Sequence, residues 1–352
     1  MTLRIAVGFV LVALATLVTA ATPATATSEL APLRAALTRQ VTVLTEANAG
    51  AVKGLDGWYF LRQELAAYRH EQFGQSPSAT TNPHNDNDPL AMLVDFQQQL
   101  AKANIALIVV LVPGKVTLYP DQLQPPLPAL PAGVRMDAAY AQFYTQLAQA
   151  GVTVVDLYPE FVRLRTAGTA PYCRQDSHWS PAAVETTAQT LADLLKAQPW
   201  YAAAPKVKTT TAQVAVTASG DLVTMLKDTA VPPERFAVRQ VKIADRFADA
   251  DDAESAAQQR QSPILLMGDS HCLVFGHEDL LAQHAGLASQ LAVTTGIMPD
   301  VVANMGSGIN APRITLARRK DNLAGKKCVI WLFGAHQLTE SAEGWKKIPV
   351  IR

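Results

Sequence analysis

Short apolar runs separated by helix-length segments constrain the fold of this chain more strongly than any other feature. Runs of this kind occupy residues 105–112, 152–157, 264–267 and 328–333. Helical patterns cover 28–51, 91–103, 137–150 and 181–197. Strands that are apolar on both faces are typical of a parallel sheet covered by helices on each side. The sequence therefore predicts an α/β fold with a mostly parallel central sheet.

Length and composition indicate one α/β domain with an insertion. The chain has 352 residues, of which 49% are hydrophobic, and this is enough for a sizeable core. Alternating valine and threonine in 207–243 predict β structure, and the acidic, alanine-rich run 245–261 predicts an exposed loop or helix. We assign 207–261 as an insertion. The 30 basic and 30 acidic residues give a formal charge of zero, which argues against a nucleic-acid partner.

The N-terminus has the pattern of a targeting segment. Arg4 precedes an almost entirely apolar stretch, 5–21, and Ala24-Thr25-Ala26 has the small residues of a cleavage site. We interpret 1–26 as a signal peptide or an uncleaved signal anchor, because the apolar stretch is close to the shortest that can cross a bilayer. The remaining domain, 27–352, is expected to be exported.

A candidate nucleophile follows the apolar run 264–267, in the motif Gly268-Asp269-Ser270-His271. The carboxyl end of a buried strand is where α/β sheets place ligands, so the hydroxyl of Ser270 is expected at that edge. Asp269 is expected to cap the turn after the strand. A serine hydroxyl is a weak nucleophile unless a base takes its proton, so Ser270 requires a partner elsewhere in the chain.

That partner is predicted about ninety residues earlier, in the motif Asp176-Ser177-His178-Trp179. An imidazole can remove the serine proton, and a carboxylate two positions away can orient it. Ser180-Pro181 follows, a typical N-cap and first helical residue, and this places the motif at the end of an element. The two motifs together predict a triad with Ser270 as nucleophile, His178 as general base and Asp176 as the orienting carboxylate.

Acyl transfer also needs hydrogen-bond donors for the negative oxygen of its tetrahedral intermediate. The backbone N–H of Ser270 is one candidate. A second is the glycine-rich stretch 304–310, because glycines let the backbone approach a substrate and asparagine amides can donate. The candidates in this stretch are Asn304, Gly306, Gly308 and Asn310. The alternative interpretation is a plain strand-to-helix turn.

Three further residues are candidate sugar ligands. Lys115 and Tyr119 follow the apolar run 105–112 and could bind a sugar carboxylate or hydroxyl. Trp179, next to the base, offers a flat apolar face for a pyranose ring. The alternatives are a solvated lysine and a tryptophan that packs beneath the histidine. No metal-ligand spacing accompanies these residues, so we expect no metal and no cofactor.

These motifs, in this order, resemble the alginate O-acetyltransferases of the AlgJ/AlgX type, from about residue 54 to the C-terminus. The residues that carry the resemblance are Gly54-Leu55-Asp56-Gly57-Trp58-Tyr59-Phe60-Leu61, Val112-Pro113-Gly114-Lys115, Tyr119-Pro120, Asp176-Ser177-His178-Trp179-Ser180-Pro181, Gly220-Asp221-Leu222, Gly268-Asp269-Ser270, Trp331-Leu332-Phe333 and Gly344-Trp345. The resemblance implies an SGNH-hydrolase-like three-layer sandwich. Because the Asp-x-His motif precedes the serine, it implies the circularly permuted form. The short segment after Trp345 favours the AlgJ-like form, without a C-terminal carbohydrate-binding module.

The resemblance implies an exported O-acetyltransferase that moves acetyl through Ser270 onto hydroxyls of an exopolysaccharide such as alginate. The implied partners are the polysaccharide acceptor, a membrane-bound O-acyltransferase that supplies acetyl, and other exopolysaccharide secretion proteins. The implied location is the periplasm, either soluble or attached to the inner membrane. Two alternatives stay open: an SGNH-type carbohydrate acetylesterase, since water and a sugar hydroxyl attack the same acyl-enzyme, and a non-catalytic scaffold subunit.

Two histidines depart from the family pattern. His271 stands where an aromatic or small residue is expected, and it competes with His178 for the role of base. His336 stands where the family often has arginine.

The three cysteines are too few for a disulfide framework. Cys328 opens an apolar run and is expected to be buried. Cys173 and Cys272 flank the two site motifs, so a disulfide between them is one interpretation.

Overall fold

The computed structural model describes residues 23–70, 88–131, 133–249, 253–277, 279–306 and 308–352. The predicted targeting segment, 1–26, lies outside these residues as far as position 22, and its expected cleavage motif, 24–26, falls in the first helix. Among the described residues, none of the helices combines the length and the apolar character that crossing a membrane requires.

The helices, in chain order, are α1 (Pro23–Glu46), α2 (Arg62–Ala67), α3 (Pro89–Lys102), α4 (Lys115–Leu118), α5 (Ala138–Gln149), α6 (Tyr158–Thr166), α7 (Pro181–Lys196), α8 (Asp221–Leu226), α9 (Ala253–Arg260), α10 (Leu287–Thr295), α11 (Ala311–Arg319) and α12 (Gln337–Glu340). The strands are β1 (Ala51–Lys53), β2 (Tyr59–Leu61), β3 (Ala106–Val112), β4 (Thr153–Asp156), β5 (Thr209–Ala218), β6 (Glu234–Ile243), β7 (Arg246–Phe247), β8 (Ile264–Gly268), β9 (Asp300–Ala303) and β10 (Cys328–Gly334).

The core is a five-stranded sheet in the order β4-β3-β10-β8-β9, with every neighbouring pair parallel. Strand β10 lies at its centre and is buried along its whole length. Trp331 of β10 is opposite Val109 of β3 and Met267 of β8. Helices flank the sheet, so the predicted α/β fold with a mostly parallel sheet is confirmed. The four apolar runs of the sequence correspond to β3, β4, β8 and β10.

The helices that flank the sheet begin where the sequence supplies caps. Asp88 accepts a hydrogen bond from the backbone N–H of Leu90 at the start of α3, and Ser180 accepts one from Ala183 at the start of α7. Both helices carry proline in the first turn, where its missing N–H leaves no donor unsatisfied. Each helix then buries one apolar face. The helices predicted over 91–103 and 181–197 agree closely with the observed helices α3 and α7.

Two elements differ from the sequence prediction. The helix expected over 28–51 ends at Glu46, because Asn48 adopts a positive φ of 50°, a conformation that terminates helices. Ala51–Lys53 instead forms β1, which pairs antiparallel with β2. Strand β9 has no counterpart in the sequence prediction, since it is short and begins with an aspartate.

A second sheet lies within the predicted insertion. Strands β5, β6 and β7 form a three-stranded antiparallel sheet, in which Thr209–Ala218 pairs with Glu234–Ile243 over ten positions. Helix α8 connects these two strands. The alternating valine and threonine therefore belong to a β ribbon, as expected, and α8 brings part of this segment to the triad motifs.

Candidate active site

Ser270 follows strand β8 and lies at the carboxyl end of the central sheet. Gly268 ends β8 so close to β10 that a Cβ at this position would be 1.7 Å from the carbonyl oxygen of Leu332. Only glycine allows this approach. Asp269 then caps the turn by accepting the backbone N–H of His271 at 3.0 Å, and its other oxygen accepts the N–H of Gly334 at 2.7 Å. These hydrogen bonds fix the backbone on both sides of Ser270.

Asp176 and His178 lie in a tight loop between α6 and α7. The loop is closed by an antiparallel bridge between Tyr172 and Trp179, and Ser180 begins α7 immediately after it. The backbone N–H of His178 donates to Asp176 Oδ1 at 3.0 Å, which fixes the turn between the two side chains.

The structure brings Ser270, His178 and Asp176 into one chain of hydrogen bonds. Ser270 Oγ is 2.7 Å from His178 Nε2, and His178 Nδ1 is 2.6 Å from Asp176 Oδ1. An ionised carboxylate can only accept, so Nδ1 carries the proton and the neutral ring presents the Nε2 lone pair to the serine. This is the arrangement that a serine nucleophile requires of its base.

The charges of this pair favour the ionised carboxylate. Burial by itself raises the pKa of Asp176, but the hydrogen bond and the charge of His178 outweigh it and hold that pKa at about 2. Burial by itself lowers the pKa of His178, but Asp176 outweighs it, so the net pKa of the imidazole is raised above 6.5. The carboxylate therefore makes the imidazole a stronger base.

Asp221, at the start of α8, completes the support of this loop. Its backbone N–H donates to Asp176 Oδ2 at 2.8 Å, and its carboxylate accepts the N–H and Oγ–H of Ser177 at 2.7 and 2.5 Å. Gly220 makes the contact possible, since a Cβ there would be 2.1 Å from the carbonyl oxygen of Gln175. In the sequence, Asp221 was evident only as part of the Gly220-Asp221-Leu222 motif, with no role attached.

Lys115 does not lie where a sugar ligand would. Its side chain is fully buried, and its ammonium group donates to the backbone carbonyls of Tyr59, Arg174 and Asp176. Lys115 thus ties strand β2 to the loop that carries the triad. Lys115 does not fit the expected role of sugar ligand, nor that of a solvated lysine, because it begins the buried helix α4 and its ammonium group is enclosed by these carbonyl groups.

Glu64 on α2 is a site residue that sequence reasoning missed. Its carboxylate accepts the backbone N–H of Lys115 at 3.0 Å, and burial raises its pKa to about 7. Leu61, Glu64 and Asp221 lie on the wall of the pocket at Ser270. No sequence pattern indicated that Glu64 belongs to the site, because it is a single acidic residue in a short helix after an aromatic strand.

The pocket at Ser270 has a volume of about 340 Å³. Asn304, Gly306 and Gly308, three of the predicted oxyanion or substrate-binding residues, line it. Gly306 and Gly308 have positive φ angles of 61° and 73°, which favour glycine. Asn304 Oδ1 is buried and has no hydrogen-bond partner among the described residues, so this oxygen is available to accept a hydrogen bond from a ligand.

Three predicted binding residues lie away from this pocket. Asn310 is buried, and its amide group donates to Gly344 and accepts from Arg313. Tyr119 packs against Trp58 with ring centroids 3.9 Å apart. Trp179 is fully buried, so it cannot stack on a pyranose ring.

The two unexpected histidines line the pocket but do not contact the serine oxygen. His271 Nδ1 is 3.0 Å from Asp269 Oδ1, and its ring meets those of His178 and Trp179 edge-on. The alternative expectation is that Trp179 packs beneath His178, whereas the histidine ring that Trp179 meets is that of His271. Burial lowers the pKa of His336 to about 4, so this residue is a neutral group on the pocket wall. The geometry assigns the hydrogen bond with Ser270 to His178.

The cysteines are all buried as free thiols. Cys173 Sγ donates to the carbonyl of Trp179 at 3.3 Å, and Cys272 Sγ donates to that of Leu332 at 3.7 Å. The disulfide between Cys173 and Cys272 is therefore absent from the structure.

Asp176, His178 and Asp221 place three candidate metal-ligand atoms within 4.8 Å of one another. These groups already have protein partners, since Asp176 binds His178 and Asp221 binds Ser177. The side chains of this cluster already have hydrogen-bond partners, so their arrangement does not argue for a bound cation.

Comparison with known proteins decides the family. The profile of the family described as "SGNH hydrolase-like domain, acetyltransferase AlgX" matches residues 51–342. The chain belongs to this family. A Pseudomonas putida protein named "Probable alginate O-acetylase AlgJ" is 27% identical over 235 residues, which cover 65% of this chain and 56% of that protein. The protein of the same name from Pseudomonas aeruginosa is 30% identical over 150 residues, 43% of this chain and 34% of that protein.

Solved structures show the same fold. The O-acetyltransferase domain of Pseudomonas putida AlgJ has a TM-score of 0.61 at 22% identity and covers 83% of this chain and 93% of that one. Pseudomonas aeruginosa AlgX has a TM-score of 0.57 at 18% identity and covers 85% of this chain and 68% of that one. The SGNH-hydrolase-like fold of the AlgJ/AlgX family is therefore established. The matched region spans little more than half of the P. putida relative, and less of the P. aeruginosa one.

Proposed function

We propose that this protein is an exported O-acetyltransferase that moves acetyl through Ser270 onto hydroxyls of an exopolysaccharide of the alginate type. The observation that carries the proposal is the chain of hydrogen bonds from Ser270 through His178 to Asp176. Membership of the AlgX-type acetyltransferase family and the relatives named alginate O-acetylase favour acetyl transfer to a sugar. The resemblance to this family further implies that a membrane-bound O-acyltransferase carries acetyl across the membrane and supplies it to this protein.

The first half of the reaction forms the acyl-enzyme. Ser270 Oγ attacks the acetyl carbonyl while His178 Nε2 takes its proton, and Asp176 stabilises the imidazolium that results. The carbonyl oxygen becomes negative, and we assign the backbone N–H of Ser270 and the side-chain N–H of Asn304 as its hydrogen-bond donors, because Asn304 lines the pocket at Ser270. The intermediate then collapses, the donor's leaving group departs with the proton from His178, and acetyl remains on Ser270.

The second half reverses these steps with a new nucleophile. A sugar hydroxyl gives its proton to His178 as its oxygen attacks the acetyl-serine. The bond from Ser270 Oγ to the acetyl carbon breaks, and the serine oxygen regains the proton. The neutral His336 adds a polar group to the pocket wall without adding charge.

The proposal is tested with Ser270→Ala. The purified wild-type domain, given a chromogenic acetyl ester, is expected to gain the mass of one acetyl group and to turn the ester over, and the variant is expected to do neither. Ser289→Ala is a matched control, because Ser289 is buried on α10 with an Oγ that has no partner among the described residues. Undiminished turnover in Ser270→Ala would contradict the assignment of the nucleophile.

A second measurement separates transfer from hydrolysis. Acetate release is followed over time with and without an acidic polysaccharide. A transferase is expected to acetylate the polysaccharide and to release less acetate in its presence. Release that is unaffected by the acceptor would favour the esterase, and inactivity of both the wild type and Ser270→Ala would favour the scaffold subunit.

A further inference from the structure

A second cavity adjoins the pocket at Ser270. It has a volume of about 600 Å³ and lies between α1, α2 and α12. Gln63 lines both this cavity and the Ser270 pocket, so the two are neighbours. We call it the arginine cavity, after Arg62 and Arg69 on its wall. The Ser270 pocket, at about 340 Å³, is near the small end of ligand sites, so a polymeric acceptor must continue beyond it.

The arginine cavity carries two guanidinium groups that have no counter-ion among the described residues. Arg62 and Arg69 are half-buried, and neither forms an ion pair with another of the residues that the structure describes. In contrast, Arg135, Arg165 and Arg319 each bind an aspartate at 2.5 to 2.8 Å. Guanidinium groups present a planar fork of donors that matches a carboxylate, and partial burial strengthens the pairing.

Two acidic residues also line the arginine cavity, but only one is available to oppose an anion. Glu340 Oε1 is 3.0 Å from His70 Nε2, so its carboxylate already has a partner. Glu46, at the end of α1, is exposed to solvent, where its charge is screened. The half-buried groups facing the cavity without an ionic partner are therefore the two arginines.

We propose that the arginine cavity binds the carboxylate of a uronate residue in an acidic polysaccharide, next to the residue that receives acetyl at Ser270. Arg62 and Arg69 supply the charge-assisted hydrogen bonds, and Gln63 lies between this subsite and the reacting hydroxyl. The proposal rests on the proposed function for the identity of the acceptor. It explains how a chain of zero net charge binds a polyanion, since the binding uses a local pair of cations.

The test is the affinity of the full chain for a hexameric oligouronate, measured by calorimetry without any acetyl donor. The wild type is expected to bind it more tightly than a neutral oligosaccharide of the same length. Arg62→Gln and Arg69→Gln are each expected to weaken binding roughly fivefold, and the double variant is expected to show a smaller dependence on salt. Glu46→Gln is expected to tighten binding only slightly, because solvent already screens the opposing charge of Glu46.

Arg163→Gln is the matched control, since Arg163 is an exposed arginine on α6 that pairs with Glu160 and lines neither cavity. The double Arg→Lys variant keeps both charges but loses the forks, so intermediate affinity is expected. Thermal unfolding of each variant checks that it folds. Equal affinity of the double Arg→Gln variant and the wild type, or no preference for the oligouronate, would overturn the proposal. Because no acetyl donor is present, this result is independent of the Ser270→Ala experiment.

Discussion

At the scale of single residues, this site is built by groups that satisfy one another before any substrate arrives. Both oxygens of Asp176 are used, one by His178 and one by the N–H of Asp221. His178 Nδ1 is thereby committed, so its Nε2 is left for Ser270. Because each hydrogen bond excludes an alternative orientation of the next side chain, the reactive geometry is set in advance.

Asp176→Asn is expected to change both the rate and its pH dependence. His178 acts as a base only when neutral, so wild-type kcat/KM should fall as pH drops through a pKa above 6.5. The variant loses the charge that raises this pKa but keeps the burial that lowers it. Its acidic limb should therefore move to lower pH, while kcat falls about 10⁴-fold, the size of the loss when a triad aspartate is replaced by asparagine.

The measurement is the pH profile of kcat/KM with a chromogenic acetyl ester. Asp193→Asn, an exposed substitution on α7, is the control and should keep the wild-type profile. An acidic limb that stays in place in Asp176→Asn would show that His178 is not the titrating base.

At the scale of elements, the carboxyl ends of adjacent strands gather the pocket. Ser270 follows β8, Asn304 follows β9 and His336 follows β10, and these strands are neighbours in the sheet. The other half of the site comes from the loop before α7 and from α8, which lies in the predicted insertion. Close backbone contacts also fix these parts, between Gly220 and the triad loop and between Gly268 of β8 and Leu332 of β10.

Gly220→Ala is expected to move α8 away from the triad loop. The added Cβ would lie 2.1 Å from the carbonyl oxygen of Gln175 and 2.5 Å from the backbone nitrogen of Asp176, and neither atom can rotate aside. A displacement of about 1 Å at a reacting group can cost about 100-fold in rate. We therefore expect a fall of that order in kcat for the acetyl ester, together with a lower melting temperature.

Gly276→Ala is the control for this substitution. Its Cβ would be 3.3 Å from the nearest atom, the carbonyl oxygen of Leu273, and the residue has no positive φ. It is expected to retain the kcat of the wild type. Wild-type kcat in Gly220→Ala would mean that α8 does not position Asp176.

At the scale of the whole molecule, α1 belongs to the core rather than to a detachable leader. The residues on its buried face are Leu30, Leu33, Leu37, Val41 and Leu44. All but the first pack in the same cluster as the central strands. Helix α1 also forms one wall of the arginine cavity, so it links the stability of the fold to the proposed acceptor site.

Truncation tests the place of α1 in the fold. A chain that begins at residue 29 keeps the buried residues from Leu30 to Leu44. We expect it to have the same melting temperature as a chain of residues 23–352. A chain that begins at residue 48 loses five buried side chains, worth roughly 2 kcal/mol each, a sum comparable to the total stability of an ordinary domain, about 5–15 kcal/mol. We expect that chain to be unfolded by circular dichroism. A cooperative, unshifted transition in the shorter chain would contradict this assignment.

The sequence by itself determined the layers of this protein and predicted the residues of its candidate site. Apolar runs and helical patterns are local properties, so they indicated β3, β4, β8 and β10 and the helices between them. The order of the strands and the edge strand β9 were not accessible in this way, because pairing depends on contacts between distant segments. Ser270, His178 and Asp176 were recognisable because their motifs lie at element ends.

Only the tertiary structure decided which neighbours these residues have. It assigned the hydrogen bond of Ser270 to His178 rather than His271, buried Lys115 beneath the triad loop, and brought Glu64 and Asp221 to the site. It also left Arg62 and Arg69 together in a cavity beside the pocket. The physical reason is that burial and direction of a side chain are set by the elements packed around it, and these come from parts of the chain far away in sequence.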